Sequence, residues 1–95
     1  MTAAALAGRT VLVTGASRGI DRDLAQALAE AGADLVVTAR EVGALSGVVD
    51  EARAQGRTCL PLALELRDGP SAIEAFADRA WRETGGIDVV VNNAG

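Results

Sequence analysis

The chain has 95 residues, room for at most one domain, and a core of that size has little stability to spare. It is 49% hydrophobic with one Trp, one Phe and no Tyr, so Ala, Val and Leu must build the core. A formal net charge of −4 without a basic patch argues against nucleic acid or an acidic membrane as partner, and no run approaches the roughly 18 apolar residues that span a bilayer.

Residues 1–8 read as a short leader without a basic start, and Arg9 interrupts any signal-peptide apolar core, so a cytoplasmic location is expected. Arg9-Thr10 opens a first strand through the apolar run Val11-Leu12-Val13, the pattern of a parallel strand covered on both faces. A glycine-punctuated loop follows, and then a helix with Ile20, Leu24, Ala27, Leu28 and Ala31 inward, stopped by Gly32. Leu35–Thr38 is the second strand. A second helix runs to about Gln55 with Val42, Leu45, Val49 and Ala52 inward, weakened by Gly43 and Gly47. The third strand, about Thr58 to Glu65, contains Pro61 and is therefore expected at a sheet edge. Asp68-Gly69-Pro70 starts a third helix with Ile73, Phe76, Ala77 and Ala80 inward and Trp81 at its rim; Gly85-Gly86 ends it. Ile87–Val91 forms a fourth strand running into Asn92-Asn93-Ala94-Gly95. Strands alternating with helices predict a parallel α/β sheet with right-handed crossovers, β-α-β-α-β-α-β. The lone Cys59 has no His to act as its base and reads as buried packing.

The loop Thr14-Gly15-Ala16-Ser17-Arg18-Gly19-Ile20 carries the chemistry. A strand, a tight glycine turn and a helix N-terminus direct unpaired N–H groups and the positive helix end at one point, which suits a phosphate. Gly15 permits the turn, and Gly19, lacking a Cβ, lets a pyrophosphate approach the backbone. Arg40 lies about twenty residues past the loop, where NAD-binding proteins place an acid for the ribose 2′-hydroxyl. With Arg18 it can instead hold a 2′-phosphate by charge-assisted hydrogen bonds; two surface arginines are the plainer alternative.

The Thr-Gly-x-x-x-Gly-Ile spacing at 14–20 and the tetrad Asn92-Asn93-Ala94-Gly95 after Ile-Asp-Val-Val-Val resemble the N-terminal half of the short-chain dehydrogenase/reductase family. That resemblance covers Gly8 to Gly95. It implies a Rossmann-type doubly wound parallel sheet, strand order 3-2-1-4, with Pro61 on its edge strand. It also implies a dinucleotide cofactor contacted by Gly15, Ser17, Arg18, Gly19, Ile20 and Arg40. Ala39, aligned with the family's ribose-binding acid, has no carboxylate, so NADP is expected in preference to NAD. Glu65-Leu66 stands where the family has Asp-Val or Asp-Leu near the adenine, although an ordinary strand-end carboxylate fits as well. Asn92, Ala94 and Gly95 would line the cofactor's ribose, and the intact parent would be a homo-oligomer.

Two departures stand out. Asp21 replaces the family's third glycine, so its carboxylate must either turn to solvent or disturb helix–strand packing, and it adds negative charge beside the phosphate site. The family's catalytic Ser, Tyr-x-x-x-Lys and Asn lie beyond the tetrad. All nine Lys+Arg residues are Arg, so the chain has neither Lys nor Tyr, and with no His and one Cys no other catalytic or metal constellation replaces them. The expectation is a partial NAD(P)-binding domain, the cofactor half of an oxidoreductase cut short. The alternative is a stand-alone, non-catalytic or vestigial nucleotide-binding module. A fourth strand left at an open edge predicts that the isolated chain self-associates.

Overall fold

The computed structural model describes residues 5–16 and 19–91, with Leu66 described in its backbone only. Four strands, β1 (Thr10–Val13), β2 (Asp34–Ala39), β3 (Cys59–Ala63) and β4 (Val89–Val91), alternate with three helices, α1 (Gly19–Glu30), α2 (Ser46–Ala54) and α3 (Pro70–Thr84). Short 3-10 turns, Val42–Leu45 and Leu66–Asp68, precede α2 and α3. All pairings are parallel and the order is β3-β2-β1-β4. The expected 3-2-1-4 arrangement is therefore present, with Pro61 in the edge strand.

Register aligns Val11 with both Leu35 and Val89, and Leu35 with Cys59, so alternate residues share a face. Val11, Val13, Leu35, Val37 and Cys59 pack under Ala25 and Ala29 of α1 and Val48, Val49 and Ala52 of α2. Leu12, Val36 and Leu62 pack under Ala80 of α3, with Phe76 and Ile87 alongside. The faces differ because β1-α1-β2 and β2-α2-β3 advance in one direction and β3-α3-β4 returns; right-handed crossovers put opposite travel on opposite faces.

Several inward positions differ from expectation. On α1, Ile20 is 82% exposed, Ala27 is exposed, and Ala25 and Ala29 are the buried residues. At 100° per residue these are opposite stripes of one helix, and the alanine stripe wins because small side chains let α1 approach both sheet and α2. On the second helical segment Leu45, Val49 and Ala52 are buried and Val48 joins them, but Val42 is exposed. The 3-10 turn has three residues per turn and shifts the phase of the apolar stripe. On α3, Ala80 is buried and Phe76 half-buried as expected, whereas Ile73 and Ala77 are exposed; Trp81 is exposed at the rim, as expected.

The caps follow the residues. Gly69 (φ 92°) leads into Pro70 at the first helical position, and Gly85 (φ 82°) ends α3 with its N–H donating to the Trp81 carbonyl at 2.8 Å. The third and fourth strands are shorter than expected. Beyond Ala63 the chain turns into the 3-10 segment Leu66–Asp68. Before Val89, Asp88 caps the start of β1 instead, its carboxylate accepting the Thr10 N–H at 2.8 Å.

Candidate functional site

Because every strand is parallel, all four carboxyl ends lie on one edge of the sheet. Between β1 and β4 the strand order reverses, the kind of switch point where open α/β sheets bind ligands. The loop after β1 is anchored there on both sides. The Thr14 N–H donates to the Val91 carbonyl at 3.1 Å, the Gly15 N–H to the Thr38 hydroxyl at 3.3 Å, and the Ala16 N–H to the Thr38 carbonyl at 3.0 Å. Thr14, Ala16 and Thr38 are all buried. Thr38 is thus a structural partner of the loop that sequence reasoning missed; a lone hydroxyl in an apolar strand was its signal.

Gly15 (φ 66°) and Gly19 (φ 67°) both need the left-handed backbone that glycine adopts without strain. Chain neighbours and the helix's own backbone apart, no atom of the described residues lies within 4 Å of the point where a Gly19 Cβ would stand. This glycine is required by torsion and not by crowding, and the backbone in front of it is approachable. Gly19 is the first residue of α1, so the N–H groups of that turn and the positive helix end face the same approach. A phosphate group fits these residues.

Ile20 stands exposed beside Gly19. Asp21 sits half-buried in the first turn, where the helix dipole favours a carboxylate and an incoming phosphate does not. Arg22 turns away from the loop. Its Nε and Nη2 each lie 3.2 Å from the Glu51 carboxylate on α2, a two-bond fork that raises the guanidinium's already high pKa. Arg40 directly follows β2, exposed, with Ala39 half-buried before it. Among the described residues no ion pair holds Arg40.

The structure therefore brings Gly15, Gly19, Ile20 and Arg40 to one edge of the sheet. Glu65 follows β3, its Oε2 accepting the Arg67 N–H at 3.1 Å, so the carboxylate caps the 3-10 turn of its own chain. Ser17, Arg18, Asn92, Ala94 and Gly95 lie outside the described residues, as does the Leu66 side chain.

Cys59 is 2% exposed at the opposite end of the sheet, and burial pushes its thiol up to about 11 against the smaller opposing pull of Arg53. It packs in the core, as expected. A cavity of about 450 Å³ opens near it, lined by Asp34, Arg53 and Thr58 among others. Its polar groups are committed to the fold: Asp34 accepts the Thr58 N–H at 2.9 Å and Arg53 donates to the Cys59 carbonyl at 3.2 Å. Among the described residues there is no cluster of His, Cys, Asp or Glu able to hold a metal, and no helix long and apolar enough to cross a membrane.

Residues 9–95 match the family model described as short chain dehydrogenase. The chain is 38% identical over 96 residues to the mouse (Mus musculus) hydroxysteroid dehydrogenase-like protein 2, covering 94% of this chain and 19% of that protein. It is 43% identical over 86 residues to 1-deoxy-11-beta-hydroxypentalenate dehydrogenase of Streptomyces avermitilis, covering 90% of this chain and 32% of that one. Among solved structures, a metagenomic short-chain oxidoreductase in complex with NADP superposes with a TM-score of 0.89 at 43% identity, covering 96% of this chain and 41% of that chain. The chain spans between about a fifth and two fifths of the length of these three proteins.

Proposed function

The chain belongs to the short-chain dehydrogenase family, oxidoreductases with a dinucleotide-binding fold, and on that premise we propose that it is the NADP-binding part of an oxidoreductase. The observation that carries the choice of cofactor is the end of β2, where Ala39 offers no carboxylate to a ribose 2′-hydroxyl and Arg40 stands exposed in the next position. The NADP bound to the metagenomic relative supports it.

Gly15, Gly19 and the first turn of α1 would hold the pyrophosphate, with Ser17 and Ile20 beside it. Arg40 and Arg18 would take the 2′-phosphate, Glu65 and Leu66 the adenine, and Asn92, Ala94 and Gly95 the second ribose. The bound nicotinamide would supply hydride exchange with a carbonyl or alcohol. These 95 residues contain no Tyr or Lys, so on this reading their own part is to bind and orient the cofactor, and proton-handling groups of that kind would have to come from outside them.

Calorimetric titration with NADPH and NADH tests the reading. NADPH should bind more tightly, and Arg40→Asp should weaken NADPH by roughly ten- to hundredfold, the worth of a charge-assisted hydrogen bond, and remove the preference. Equal affinities for the two cofactors, unchanged by the substitution, would refute it.

A further inference from the structure

Arg22 lies in the first turns of α1, where no side chain is fully buried: Gly19, Ile20 and Asp23 are exposed, Asp21, Arg22 and Leu24 half-buried, and burial begins only at Ala25. The loop's hydrogen bonds to Thr38 hold Gly15 and Ala16 on the other side of the turn. Among the described residues, the recorded side-chain hydrogen bonds from this turn to another element are those of Arg22 to Glu51, both at 3.2 Å. The guanidinium reaches Glu51 across Gly47. A Cβ at Gly47 would stand 2.7 Å from Arg22 Nη2, closer than real Cβ atoms approach, and 3.1 Å from Cζ, so the flexible arginine end would have to shift off its seat. Glycine is the poorest helix former after proline, and here α2 carries one where the arginine passes. Glu51 lies one turn further along the same face.

The two helices so joined carry opposite ends of the proposed site. The start of α1 meets the phosphates, while α2 follows the β2 end and its Arg40. We propose that the Arg22–Glu51 pair, seated over Gly47, is a positioning device that fixes the spacing between the phosphate end and the ribose end of the dinucleotide site. This rests on the dinucleotide reading above. A ligand spanning both ends benefits from fixed spacing because less ordering remains to be done on binding, whereas a ligand occupying one end does not.

The test compares Gly47→Ala and Glu51→Gln with the unaltered protein, using NADPH as the spanning ligand and adenosine 2′-monophosphate, which lacks a 5′-phosphate, as the ribose-end ligand. Both variants should weaken NADPH by about three- to tenfold, within what a partly exposed fork-to-fork pair supplies, and leave the 2′-monophosphate within about twofold. Gly47→Ala should do so while its melting temperature holds or rises, since alanine favours the helix; a merely structural role would move affinity and stability together. Without ligand, the amides of residues 19–22 should exchange faster in both variants. NADPH affinity unchanged or tightened, an equal loss for the 2′-monophosphate, or unaltered amide exchange would overturn the inference. Whether the unaltered protein prefers NADPH to NADH bears on the functional reading alone and leaves this comparison intact.

Discussion

Thr38 grips Gly15 and its neighbour from the adjacent strand: its hydroxyl accepts the Gly15 N–H at 3.3 Å while its carbonyl accepts the Ala16 N–H at 3.0 Å. The glycine loop is thereby held in shape by β2 before any ligand arrives. Thr38→Val keeps the volume and removes the acceptor, leaving a part-buried N–H without its partner. The expected cost is about 1–2 kcal/mol in urea denaturation, with weaker NADPH binding, and Thr38→Ser should recover most of both. A valine variant as stable and as tight-binding as the original would show that the hydroxyl is idle.

Asp21 sets stability against binding. Its carboxylate suits the positive end of α1, so Asp21→Asn should lower stability by about 0.3–1 kcal/mol. At a separation on the order of 8 Å and an effective dielectric near 20, the same charge opposes a bound phosphate by about 2 kcal/mol, roughly thirtyfold in affinity before screening. NADPH binding should therefore tighten in the variant, and the gain should shrink as salt is raised. Titrations at two ionic strengths check both statements; a gain that ignores salt would rule out the electrostatic account.

Cys59 should leave a signature in alkaline stability. The sequence has no Lys, Tyr or His, so this thiol is the one side chain titrating between about pH 8 and 12. Burial raises it from 9.0 to about 11. Between those values the unfolded chain has released the proton and the folded chain retains it, so the unfolded state binds fewer protons and stability falls as pH rises. The loss should total roughly 2–3 kcal/mol from pH 9 to 11 and be absent below about pH 8. Denaturation of Cys59→Ala over the same range should show no such slope, and thiol reagents at neutral pH should label the original protein only as it unfolds.

The outer side of β4 predicts association. Val89 and Val90 are 45% and 59% exposed, and β4 pairs only with β1 among the described residues. An uncharged, β-branched edge offers its unpaired N–H and C=O groups to a neighbour. The 95-residue chain by itself should self-associate with concentration in sedimentation velocity, and Val90→Lys should suppress this. A clean monomer at high micromolar concentration, unaffected by the lysine, would count against the edge as the cause.

Much of this protein is legible without coordinates. The alternation of short apolar runs with helical stretches, the proline in the third strand, the glycine stops and the Gly15–Gly19 loop specify the strand order and the ligand-facing edge, because each is a constraint acting within a few residues of itself. Which face each helix buries is another matter. α1 carries two apolar stripes on opposite sides, one through Ile20 and Ala27 and one through Ala25 and Ala29, and periodicity alone ranks the bulkier first. Close packing between sheet and α2 selects the alanines. The hold of Thr38 on Gly15 spans 23 residues and the reach of Arg22 to Glu51 spans 29. Gly47, which reads from sequence as a weakness in a helix, acquires its meaning only when the guanidinium of another helix lies across it. Such relationships depend on distances between elements that the chain brings together only on folding, so tertiary structure alone decides them.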